Sequence, residues 1–90
     1  MAQKITTTSW TQITGLENGK DYILQAQAQQ YNSSNVLGST PINAMWLQQS
    51  TAPASTDIGL IDSQIKVSGS EDVYVRSGSV PLNVVIQEVI

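Results

Sequence analysis

Residues 21–31, "DYILQAQAQQY", decide the fold. Side chains alternate across an extended chain, so Tyr22, Leu24, Ala26 and Ala28 share one face while Gln25, Gln27 and Gln29 share the other. That pattern describes a strand with one apolar face and one wet face. Alanine and glutamine also suit a helix, but Asn18-Gly19 just upstream is a two-residue hairpin signal, and Tyr22-Ile23 are β-formers. The segment is therefore expected to be a strand entered through a tight turn.

Working outward, β-forming runs separated by turn residues recur at short intervals. Residues 4–14, "KITTTSWTQIT", read as an opening strand bent near Ser9. Residues 32–41, "NSSNVLGSTP", read as a loop of turn formers, and "INAMWLQQ" (42–49) as a short strand. A polar connection, "STAPASTD" (50–57), leads to "IGLIDSQIKV" (58–67), which reads as two short strands about Asp62-Ser63. "VYVRS" (73–77) and "LNVVIQEVI" (82–90) follow as strands, each preceded by a turn. Six to eight short strands at this spacing predict an all-β protein, a small antiparallel β-sandwich or barrel, with residues 1–90 as a single domain. The expected core is Ile5, Trp10, Ile13, Leu16, Tyr22, Leu24, Ala26, Met45, Leu47, Leu60, Ile65, Val73, Val75, Leu82, Val84 and Ile86.

Composition narrows the chemistry. The chain has no cysteine and no histidine, which removes disulfides, the usual zinc sites and Ser-His or Cys-His nucleophiles. Charged residues are 12% of the chain, against about 25% in an average domain. The net charge is −3, and Lys4, Lys20, Lys66 and Arg76 form no basic run, so nucleic acid is not an expected partner. Serine, threonine, asparagine and glutamine fill more than a third of the sequence. Neutral polar groups cost less to desolvate than ions, which suits copies packed side by side. No apolar stretch approaches the roughly 20 residues of a membrane span, and "MAQKITTTSW" has no signal-peptide core, so synthesis in a cytoplasm is expected.

The acid residues Glu17, Asp21, Asp57, Asp62, Glu71, Asp72 and Glu88 lie mostly in expected turns, where carboxylates hold backbone amides. No D-x-D-x-D-G calcium spacing occurs. No catalytic, metal or cofactor-binding residue is assigned, and no cofactor is expected. Aromatic rings beside amide side chains make a possible sugar platform, with Trp46 and Tyr31 as its contacts; core packing is the competing use for a tryptophan in a chain without phenylalanine. With Val73 and Val75 inward, Tyr74 and Arg76 lie on an outer face, and Val85 and Val89 occupy the second face of the last strand. Tyr74, Arg76, Val85 and Val89 are therefore expected to form one subunit or capsid interface.

The runs "WTQITGLENGKDYILQAQ" (10–27) and "WLQQSTAPASTDIGLIDSQIKVSGSEDVYVRSGS" (46–79) resemble small β-structured virion proteins of tailed bacteriophages. Extra glycines common after the "VRS" element in that family are missing here. The resemblance implies a non-enzymatic capsid decoration or cement protein, or a neck or fibre-attachment module, located in the virion after assembly in the host bacterial cytoplasm. It implies the major capsid protein or another virion protein as partner, and a homo-oligomer, with a trimer favoured. The alternative is a receptor- or glycan-binding module of a tail fibre or spike.

Overall fold

The computed structural model describes residues 2–5, 8–31, 37–78 and 81–90. These form nine strands: β1 (Ala2–Ile5), β2 (Thr11–Gln12), β3 (Asp21–Tyr31), β4 (Leu37–Pro41), β5 (Ala44–Gln48), β6 (Leu60–Asp62), β7 (Gln64–Ser68), β8 (Val73–Arg76) and β9 (Leu82–Val89). One sheet runs β1-β9-β3-β4, with β7 also on β3; the other runs β2-β8-β5-β6. Every pairing is antiparallel. The fold is the all-β sandwich expected from the strand spacing, with β4 lying where the turn-rich 32–41 stretch reads as loop.

β3 is the spine of the first sheet. One edge pairs with β9 from Asp21 to Ala28; the other pairs with β7 from Asp21 to Gln25 and with β4 from Gln27 to Tyr31. Ala26 is the hand-over point: its N–H donates to the Ser63 carbonyl at 2.8 Å and its carbonyl accepts from the Ile42 N–H at 3.1 Å. Tyr22, Leu24, Ala26 and Ala28 face inward as the alternation predicts, and are buried. Tyr22, Leu24 and Ala26 meet Val73 and Val75 of β8, Ala44 and Trp46 of β5, and Leu82, Val84 and Ile86 of β9 in one core. Each large side chain buried there contributes about 1.5–3 kcal/mol through removal from water.

The chain crosses between sheets at its bends. The opening segment is two strands in different sheets, with the bend at Thr8–Ser9. The Gln3 amide joins them: Nε2 donates to the Gln12 carbonyl and Oε1 accepts from the Thr14 N–H, both at 2.9 Å. Glu17–Lys20 forms the expected tight turn, with Gly19 at φ 85° and the Lys20 N–H on the Glu17 carbonyl at 3.3 Å. It is no hairpin, however, because β2 and β3 pair with other strands in different sheets. The Lys20 ammonium bridges Glu17 and Glu88; hydrogen bonds to both carboxylates hold its pKa above the ordinary 10.5.

β5 is reversed relative to expectation. Trp46 faces the core with 1% of its surface exposed, while Met45 and Leu47 are half-buried on the outer side. The indole Nε1 donates to the Asp62 carbonyl at 2.8 Å, so the largest side chain enters the core with its polar atom satisfied. Trp46→Ala is predicted to cost about 3–5 kcal/mol. Leu47→Ala, with a smaller cavity on a partly wet face, is predicted to cost clearly less. Urea unfolding of the two variants checks this, and the reverse order would place Leu47 inside.

Candidate interaction surface

β8 alternates as expected, with Val73 and Val75 inward and Tyr74 and Arg76 on the outer side, where pairing places them beside Leu47 and Met45. Yet this side is not open. The Arg76 guanidinium reaches over it, Nε donating to the Thr8 carbonyl at 2.9 Å and Nη1 to the Ser55 carbonyl at 2.6 Å. Two connections are thereby fastened across the sheet, one from the bend before β2 and one from residues 50–57. Tyr74, on the same side, keeps only 8% of its surface. Beside Arg76 a hollow of about 220 Å³ is lined by Thr8, Ser9, Trp10, Pro53 and Ser55.

β9 lies in the other sheet, so its outer side faces away from that of β8. Val85 is half-buried opposite Gln25, and Val89 is exposed near the end of the strand. The expected single interface of Tyr74, Arg76, Val85 and Val89 is therefore corrected. The sandwich separates the two pairs, and within the subunit Tyr74 is buried and Arg76 is engaged by the Thr8 and Ser55 carbonyls. Trp46 likewise offers no face to a sugar, being packed in the core. The side chain of Tyr31 lies outside the described residues.

The carboxylates hold turns. Asp57 Oδ2 accepts from the Ala54 N–H at 2.8 Å, and Asp62 Oδ1 from the N–H groups of Ser63 at 2.7 Å and Gln64 at 3.3 Å. Among the described residues no group of three His, Cys, Asp or Glu is placed to hold a metal ion.

Besides Val89 and Ile90 at the end of β9, the apolar surface that stands open is one that sequence reasoning placed partly in the core. Ile58, Leu60 and Ile61 are 83%, 74% and 67% exposed, three large apolar side chains within four residues. β6 ends its sheet, so one of its edges has no neighbouring strand among the described residues. Three other edge strands, β1, β2 and β7, are handled differently. β2 is capped by the Gln3 amide, while β1 and β7 carry exposed Lys4 and Lys66. Lysine on an edge discourages strand addition. β6 carries no lysine; its one charged residue is the exposed Asp62, whose Oδ1 accepts from the Ser63 and Gln64 N–H groups.

Local geometry fixes this strand. Gly59 runs so close to β5 that an added Cβ would collide with the Trp46 carbonyl oxygen and lie 3.0 Å from the Trp10 ring. The chain enters β6 pressed against β5, which leaves Leu60 at the rim rather than inside. A hollow of about 290 Å³ flanks Ile61, lined by Asn43, Ala44, Met45 and Arg76. Another of about 550 Å³ flanks Leu60, lined by Trp46, Leu47 and Ile65. The sequence signal for this edge was "IGLI" ahead of Asp62-Ser63, four residues with apolar groups on both alternating faces.

No protein-family model, no curated protein and no solved structure matches this chain.

Arg76→Ala removes two charge-assisted hydrogen bonds to loop carbonyls. It is predicted to speed amide exchange and proteolysis across 50–57 at least several-fold while β3 and β9 keep their protection. Unchanged exchange in that loop would remove the fastening role.

Proposed function

We propose that the chain is a non-enzymatic structural protein of a bacteriophage virion, a capsid decoration or cement protein that acts by multivalent surface binding. The observation that carries this reading is the exposed apolar edge at Ile58, Leu60 and Ile61, on a chain with few charges and many neutral polar residues. Contiguous apolar surface rimmed by polar groups marks a place where another protein sits. The likeness of residues 10–27 and 46–79 to phage virion proteins supplies the setting.

The mechanism is surface complementarity. The core fixes a rigid scaffold, and the exposed 15–20 and 50–57 loops present hydroxyl, amide and backbone groups to the shell, with the major capsid protein as partner. Binding where capsid subunits join favours the assembled state over the dissociated one by mass action. Many symmetric copies turn a modest single contact into strong attachment.

Phage heads stripped of the protein and then re-decorated are predicted to melt several degrees higher than stripped heads. Equal melting by calorimetry, or failure of the protein to co-sediment with heads, would contradict the cement role.

A further inference from the structure

The geometry points to a twofold dimer in which β6 of two copies pair antiparallel across Ile61, joining their four-stranded sheets into one continuous sheet. This rests on the assembling role proposed above and names the first partner as a second copy of the chain. It also replaces the expected trimer, because a strand pairing with its own copy about a twofold closes at two.

Three features of β6 select this occupant. First, an open strand edge offers main-chain N–H and C=O groups that another strand satisfies best. Second, the strand is its own complement. Centred on Ile61, the pairing sets Ile61 against the other copy's Ile61 and Leu60 against its Asp62, so no like charges meet. The Asp62 carboxylate is already engaged by the Ser63 and Gln64 amides. Third, the same three residues carry both knobs and hollows. Alternate side chains of an added strand project to opposite sides. The other copy's Ile61 then extends beside the hollow at Met45, and its Leu60 beside the hollow at Ile65. Ile58 extends the apolar centre, and Asn43 and Gln64 supply a polar rim. The pairing is a small one, carried by three residues of β6 and the Ile58 side chain, below the roughly 800 Å² per partner of a standard interface, so dimerisation is expected at micromolar rather than nanomolar concentration. With 12% charged residues, the surface opposes self-association weakly.

Sedimentation of the full chain at tens of micromolar tests the proposal. The wild type is expected as a dimer. Ile61→Lys is expected as a monomer with an unchanged circular dichroism spectrum, since the residue is exposed and outside the core. Ile61→Cys provides a second reading that does not depend on destabilising anything. The chain has no other cysteine, so mild oxidation should yield a covalent dimer, whereas Val85→Cys should not cross-link. A monomeric or trimeric wild type, a dimeric Ile61→Lys variant, or a failure of Ile61→Cys to cross-link would each overturn the pairing. The head-melting experiment separates the two claims. A monomer that still raises head melting overturns the dimer and leaves decoration standing; a dimer that leaves head melting unchanged does the opposite.

Discussion

The backbone of β3 is hydrogen-bonded along both edges at once, and the rest of the sandwich is arranged around that condition. One edge takes β9 continuously, while the other is shared end to end by β7 and β4. Sharing requires a hand-over, and Ala26 provides it by donating to Ser63 and accepting from Ile42. Because β7 must reach β3, the chain leaves the second sheet at Asp62-Ser63 after only three residues of β6. The short edge of that sheet is thus a by-product of satisfying β3. With no disulfide to hold it, the arrangement depends on the apolar face of β3 and the strands packed across from it.

β3 was legible because apolar residues alternate regularly with glutamines and because the upstream Asn18-Gly19 turn and Tyr22-Ile23 decide for strand over helix. β5 was not. "AMWLQ" is apolar on both alternating faces, and a period of two means that a shift of one residue exchanges the whole set. One deciding contact is the Asp62 carbonyl, which accepts the Trp46 indole N–H from 16 residues away. It is not visible in the local pattern. The strands about Asp62-Ser63 were readable, but their membership of different sheets was not, and Leu60 was therefore expected inside.

The same limit applied to the ends of the chain. Val73 and Val75 inward, and Leu82, Val84 and Ile86 inward, follow from alternation alone. That β8 and β9 face opposite directions does not, since sheet membership depends on which distant strands supply partners. Asn18-Gly19 correctly marked a turn but not a hairpin, because β3 found β9, β7 and β4 before β2. Arg76, the one arginine, proved to be a fastener for two loops. Its surroundings of neutral carbonyls, rather than carboxylates, could not be read from spacing.

The surface we propose for assembly is β6, with Ile58, Leu60 and Ile61 exposed, rather than one face shared by β8 and β9, which lie in different sheets. Pairing of β6 with a second copy would protect main-chain amides of residues 60–62 from exchange. Amide hydrogen exchange of the wild-type chain, compared at low and high micromolar concentration, addresses it most directly. The account predicts slower exchange at residues 60–62 as concentration rises, with residues 83–89 unchanged. Protection that appears at 83–89 while 60–62 stays constant would contradict it.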